Sequence, residues 1–383
     1  GYMAQRFGRR SVLLWSVAGF TLTSMLCGQA DSLNEMVMWR IAQGAFGASL
    51  APLSQSILLD TFPKEKHASA MSIWGMGIMI GPILGPTLGG WLTDAYSWRY
   101  VFYINVPLGV ASLVGIYWFV PKTATVEKRF DLLGFGLLAV AVGALQLLLD
   151  RGEHVLWFES LEIQLYAVLI CLGLYLFTVH TLTSDQRFVS PELFRDRNYV
   201  TGVLFIFLVG IVLLATMALL PPFLQVWKGY PAVTTGLVLM PRGVGTMLGM
   251  MVVARLMQRI DPRLLIITGM CTASLTLAEM ARFTMEVGQT TLAITGFVQG
   301  LGLGLVFIPT TTLAYATLAP HLRDEGAALF SLSRNLGSSI GVSMIMALLT
   351  RNMWINQQEL AARLTPESGL PRGMHDPGCA LYA

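Results

Sequence analysis

Apolar segments of about 20 residues, each long enough to cross a hydrocarbon core as a helix, recur through this chain roughly every 30 residues. That recurrence constrains the fold more than any other feature. Only 12% of the residues are charged, against about 25% in an average soluble domain. The charges collect in short clusters between the apolar segments, so a water-facing surface cannot be built from this mixture. The chain reads as an all-α polytopic membrane protein, with the lipid bilayer as its solvent.

Eleven spans are predicted, at 12–30, 34–59, 68–92, 100–120, 132–150, 162–182, 199–220, 234–256, 264–282, 291–315 and 326–350. Glycine and proline are frequent inside them, which membrane helices tolerate. Basic residues set the orientation. Alternate loops hold Arg6, Arg9, Arg10, Lys64, Lys66, Lys122, Lys128, Arg129, Arg187, Arg195, Arg197, Arg255, Arg259, Arg263 and Arg323. The other set holds only Arg99, Arg151, Lys228 and Arg282. The asymmetry survives all eleven spans and places the first set in the cytoplasm. From residue 351 the chain turns polar and carries Pro366, Pro371 and Pro377, which predicts a disordered tail over 351–383. The chain opens on Gly1 with no visible signal peptide and is expected to be a fragment that begins inside a loop.

The sequence also repeats itself weakly. GYMAQRFGRRSVLL resembles ARLMQRIDPRLLII at an offset of 253, pairing Gln5, Arg6 and Arg10 with Gln258, Arg259 and Arg263. Further on the offset is 256: Gln43 and Gly44 match Gln299 and Gly300, and Gly81 and Gly85 match Gly337 and Gly341. Ordered matches on near-equal spacing indicate a parallel duplication, common in transporters. The expected organisation is the remainder of a first helical half over 1–120, two intervening helices within 121–198, and a second half over 199–350. On that scheme the first copy lacks its two opening helices and the second its last.

Several clusters stand out against this background. Gly1, Arg6, Gly8, Arg9 and Arg10 lie in a basic loop, where guanidinium groups can pair with acids or with helix C-terminal carbonyls. They are either a latch for one access state or simply a loop that fixes topology. Arg40, Gln43 and Gly44 lie within a span; an arginine there faces a cavity or partner, or else snorkels to the nearby interface. Beside a carboxylate, Arg40 would lower that group's proton affinity. Gly77, Gly81, Pro82, Gly85, Pro86, Gly89 and Gly90 put a side-chain-free strip and two Gly-Pro steps on one helix. In WRYVFYINVPLG, Trp98 and Tyr100 suit the interface, Arg99 a lipid headgroup, and Asn105 and Pro107 open the next helix. Asp150 and Arg151 read as a boundary pair, Glu279 and Arg282 as a local ion pair, and Arg334 and Asn335 as intramembrane candidates, with Arg242 in another span.

Enzyme signatures are missing. GLGLG at 300–304 lies mid-membrane and follows no soluble strand, so it is not a nucleotide loop. The five histidines lack ligand spacing, and Cys27, Cys171, Cys271 and Cys379 form no CxxC or Cys/His set, so no metal site is expected. No segment is long enough for a nucleotide-hydrolysing domain.

Taken in order, these motifs resemble the major facilitator superfamily. The basic loop is similar to its motif A, Arg40-x-x-Gln43-Gly44 to its motif B, and Gly77 to Gly90 to its antiporter-associated motif C. GPILGPTLGGWLTDAYSWRYVFYINVPLG and LDRGEHVLWFES resemble the fourteen-helix drug:proton antiporter branch, specifically EmrB-type exporters. The resemblance implies two six-helix halves plus two intervening helices, alternating access, and proton influx driving efflux of small amphipathic drugs across a bacterial inner membrane. It implies no cofactor and no nucleic-acid partner, but a periplasmic adaptor and an outer-membrane channel. By the same analogy Arg40 supports proton exchange, the Gly/Pro helix shapes the half interface, and Arg6, Gly8, Arg9 and Arg10 gate the inner side. Gln5 departs from the pattern, since motif A carries an acid there, and the family's carboxylate-bearing first helix is not in this chain. Other readings stay open: a facilitator-type exporter of one metabolite, fatty acid or siderophore, a membrane receptor or scaffold, and a non-functional fragment.

Overall fold

The computed structural model describes residues 2–122, 131–152, 157–184 and 188–363. Gly1, Lys128, Arg129, Arg187, residues 153–156 of LDRGEHVLWFES and the tail beyond Arg363 lie outside the described residues. Among those described there is no strand. A short α1 (Tyr2–Phe7) is followed by α2 (Arg9–Gln29), α3 (Leu33–Gly47), α4 (Leu50–Thr61) and α5 (His67–Ala95). Then come α6 (Tyr100–Tyr103), α7 (Asn105–Phe119), α8 (Leu132–Arg151) and α9 (Leu161–Thr183). The second half holds α10 (Arg197–Pro222), α11 (Ala232–Leu256), α12 (Pro262–Met280), α13 (Gln289–Ala316) and α14 (Arg323–Arg363). Capping side chains fix many of the starts: Ser32, Asp131, Ser160, Asp196 and Asp261 each accept a first-turn backbone N–H. Within the helices, hydroxyls such as Thr21, Thr216 and Thr311 donate to a carbonyl four residues back, which satisfies them without water.

Among the described residues ten helical segments are long and apolar enough to cross a membrane, and the predicted span at 34–59 is not one of them. The predicted span at 34–59 appears as α3 and α4, of 15 and 12 residues, because Pro52 cannot donate to the carbonyl four residues back, at Ala48. The two pieces nevertheless run past α2 as one antiparallel partner. Cys27 meets Gln43, Ser16 meets Ser49 at 2.6 Å, and Arg9 meets Asp60.

The helix starts keep the repeat. α2, α3 and α5 open at Arg9, Leu33 and His67; α12, α13 and α14 open at Pro262, Gln289 and Arg323, at offsets of 253, 256 and 256. The core centres on α13, packed between α11 and α12. Here GLGLG acquires its role: Gly300 and Gly304 press on the α11 backbone at Arg242 and Thr246, and Gly302 presses on α12 at Gly269. Such alternation lets three backbones approach closely.

The disordered tail predicted from residue 351 is corrected in its first part, since α14 continues to Arg363. Residues 351–363 contain no Gly or Pro and are rich in good helix formers, so nothing within that stretch stops the helix.

Candidate functional site

The strongest concentration of charge lies at the end of the bundle carrying the basic loops. Gly8, at φ 82°, takes a backbone shape that favours glycine and turns the chain from α1 into α2. Arg9 therefore opens α2 facing the end of α4. It pairs with Asp60 there and with Asp324, its Nε lying 2.9 Å from Asp324 Oδ1. Asp324 also accepts a hydrogen bond from Ser56, and it is only 5% exposed. Arg323 pairs with Asp60 and donates to the Leu59 carbonyl at 3.0 Å. Glu325 accepts from both the backbone N–H and the hydroxyl of Ser190, in the connection after α9. One tripeptide at the start of α14 thus ties α2 and α4 of the first half, and the chain after the intervening helices, to the second half. The acids sit favourably, because Asp324 and Glu325 occupy a helix's first turn.

Arg10 uses the other predicted partner. It donates to the Tyr117 carbonyl at 2.6 Å, in the last turn of α7, and its guanidinium lies 4.8 Å over the Tyr117 ring. Arg6 stays on the surface, bonded to the Tyr2 hydroxyl at 2.6 Å and stacked near Phe7. It does not join the cluster.

α5 runs along α11, from Ser72 and Gly75, which meet Met250 toward the basic end, to the opposite end of the bundle. Ile83, Thr87 and Gly90 of α5 form the seam with Gly243, Gly236 and Ala232. Beside that seam lies a cavity of about 400 Å³ between the halves, walled by Gly85, Gly89, Gly90, Thr93 and Asp94 on one side. Met217, Pro221, Gln225, Thr235 and Leu239 wall the other. The motif helix therefore lies against α11. Its glycine strip is not the packed surface: an added methyl at Gly77, Gly81, Gly85 or Gly89 would meet nothing within 4 Å. Pro82 and Pro86 lie within the same unbroken helix.

Other predicted residues turn out to be joints. Arg40 Nη1 donates to Gln43 Oε1 at 3.2 Å and stacks 4.9 Å over Phe102, while Gly44 faces open space. Arg99, expected at a headgroup, pairs instead with Asp31 at 2.9 Å and with the Ala30 carbonyl, because the end of α2 presents both acceptors. It also stacks on Trp98. Asn105 donates to Ser24 and so ties α7 to α2, while Pro107 is exposed. Asp150 and Arg151 do not pair: Asp150 accepts from Gln146 and Arg151 meets Glu162 of α9 at 2.7 Å. Adjacent residues on a helix point apart, so each finds another partner. Glu279 and Arg282 form the expected ion pair at 3.7 Å. Arg334 is half-buried within α14, and Asn335 is exposed. Arg242 is buried, its Cβ 3.5 Å from where a Gly296 methyl would stand.

The sequence reading missed Ser56, Asp60, Asp324, Glu325 and Ser190. A signal existed. Counting basic residues loop by loop ignores acids, and Asp60 and Asp324 are carboxylates at the very ends where cations dominate.

The family profile of the Major Facilitator Superfamily matches residues 1–342. Multidrug export protein EmrB of Escherichia coli K12 is 33% identical over 375 residues, spanning 97% of this chain and 72% of that protein. EmrB of Haemophilus influenzae is 36% identical over 363 residues, spanning 94% and 70%. Fatty acid resistance protein FarB of Neisseria gonorrhoeae is 33% identical over 371 residues, spanning 96% and 73%. Among solved structures, the proton:xylose symporter XylE aligns with a TM-score of 0.61 at 14% identity, covering 93% of this chain and 76% of that one. The human organic anion transporter MFSD10 gives 0.61 at 15%, covering 90% and 72%. Membrane-crossing helices in a repeated order, the motif helix against α11 and these matches agree: the chain belongs to the major facilitator superfamily, within its EmrB-type multidrug exporters.

Proposed function

We propose that the protein exports small amphipathic compounds across a bacterial inner membrane by alternating access, driven by proton influx, with the basic end in the cytoplasm. One observation carries this reading. The halves are tied by Arg9, Asp60, Arg323 and Asp324 at the basic end, while a cavity opens between them at the other. Those charged ties are the arrangement of a transporter closed toward its basic side, and the cavity borders the glycine row of α5. Freeing the α14 start from α2 and α4 releases the basic end, and the α5–α11 seam supplies the surface about which the halves rock. Arg40 with Gln43 then supports proton exchange on a carboxylate supplied by another helix. Motif A lacks its acid at Gln5, and Asp324 offers Arg9 a carboxylate from the partner half instead.

The drug export and fatty acid resistance named for its relatives support amphipathic cargo. FarB favours a second reading, export of one acidic lipid or metabolite. A periplasmic adaptor and an outer-membrane channel are the partners proposed for a Gram-negative envelope; the reading requires no cofactor beyond the proton gradient. The test is dye efflux from cells expressing the full-length gene. Efflux should collapse when an uncoupler is added; efflux that continues without a proton gradient rejects the proposal.

A further inference from the structure

We propose that Arg334 and Tyr315 form a binding site for the anionic headgroup of the cargo, a carboxylate on an amphipathic body. The inference rests on the export reading and narrows its substrate class. Arg334 stands eleven residues into α14, about 16 Å from its start at Arg323. An arginine at such depth costs a few kcal/mol unless a partner or a polar cavity meets it. Among the described residues its guanidinium makes no hydrogen bond and no ion pair; its electrostatic neighbour is Tyr315. Every Asp and Glu in the described membrane helices lies within five residues of a helix end, so none stands beside Arg334 at its depth.

Tyr315 completes the pattern. It is 1% exposed, yet its hydroxyl has no hydrogen-bond partner. The neighbouring Tyr199 hydroxyl is committed, donating to the Gly326 carbonyl at 2.7 Å. The site therefore holds two kinds of donor, a guanidinium and a phenolic O–H, and lacks an acceptor for either. Leaving a buried donor unmade costs about 1–3 kcal/mol, so an occupant bringing acceptor oxygens is favoured. A carboxylate fits: it can take two N–H donors from the guanidinium plane and a further bond from the phenol. A quaternary ammonium head would meet a like charge.

The surroundings suit the rest of an amphipathic molecule. Tyr199, Tyr315 and Phe330 lie tilted against one another in the core, with centroids 6.4 and 5.5 Å apart, so an aromatic wall would line the site once it opens. Gly326 follows Glu325 directly, so the site is hung on the same stretch of α14 that ties the basic end. Release of the Asp324 contacts would expose it toward that end, where cytoplasmic acids would load.

The experiment measures binding to the purified full-length protein, with no gradient present, of two radiolabelled probes of equal chain length: laurate and dodecyltrimethylammonium. Arg334→Gln should weaken laurate about tenfold or more and leave the cationic probe unchanged. Tyr315→Phe should weaken laurate alone by about threefold, and Arg334→Lys, which keeps the charge and loses the two-pronged fit, should fall between the parent and Arg334→Gln. Unchanged laurate binding in Arg334→Gln overturns the proposal. If that variant loses both probes, the decision passes to the other two: Arg334→Lys must bind laurate more tightly than Arg334→Gln and Tyr315→Phe must lose it selectively, or the site is rejected. Selective laurate binding together with uncoupler-resistant efflux would reject the export mechanism and leave the site standing; the reverse result would reject the site alone.

Discussion

Helices α5 and α14 occupy matching places in the two copies, yet their glycine rows meet opposite fates. In α14, Gly337 and Gly341 lie against the α10 backbone at Phe207 and Ile211, and Gly210 of α10 faces the Arg334 carbonyl. In α5 the counterparts Gly81 and Gly85, 256 residues earlier, face open space. Among the described residues the same sequence signal is packed in one copy and uncovered in the other. A glycine row is a seat for a helix, and in the second copy that helix is α10. The α5–α11 seam is made by other residues, Ile83 and Thr87 among them, on a different face. That separation leaves the seam free to hold the halves together whatever occupies the glycine row.

The most damaging way to test the comparison is to fill the occupied seat. Gly337→Leu would drive a side chain into the Phe207 backbone, which cannot yield as a flexible side chain would. A loss of more than about 3 kcal/mol is expected, seen as failure of the protein to survive detergent extraction as a monodisperse species. A folded, undiminished variant would mean that α10 and α14 do not meet at this row.

Next in size is Asp324→Ala, which removes the acid that holds Arg9 and Ser56 to the second half. Breaking a largely buried pair costs about 3 kcal/mol, or a hundredfold in the local opening equilibrium. Hydrogen exchange in the last turn of α4 should accelerate by about that factor, while the far end of the α5–α11 seam, at Thr87 and Gly236, stays protected. Equal acceleration in both places would show that the two ends are not independent. Arg10→Ala should matter less, about 1 kcal/mol, since it removes one solvent-side contact to the end of α7. A drop of only a few degrees in the thermal midpoint is the expected reading.

What the sequence made legible follows from which properties are local. Apolar runs and the placement of arginines and lysines are single-residue properties, so the spans, their alternation and the family motifs could be read directly. The crossing of α3 and α4 was legible as one span, although the break at Ala48 needed attention to Pro52. Pairings were not legible. Arg9 and Asp324 are 315 residues apart, and nothing in either neighbourhood names the other. The same limit applies to Arg99, whose headgroup role was a fair reading until the fold brought Asp31 beside it. The face of α5 that packs was also hidden, because a glycine row records that close approach is needed somewhere without recording by whom.

The smallest effect is the most informative about the comparison. Gly81→Leu places a Cβ where no atom of the described residues lies within 4 Å, so in a chain of residues 1–383 only a small shift in the thermal midpoint is expected. In a protein of its relatives' length the outcome should differ. If a helix equivalent to α10 seats on α5, the new side chain must collide with it, as the Gly337→Leu side chain would with Phe207, and stability should fall by about 3 kcal/mol or more. The contrast between the two measurements isolates the seat from general effects of adding leucine to α5, which both proteins share. A large loss in the 383-residue chain itself would mean that the row is already filled, by lipid-excluding contact between copies; no loss in either protein would mean that the glycines of α5 serve bending at Pro82 and Pro86 rather than helix contact.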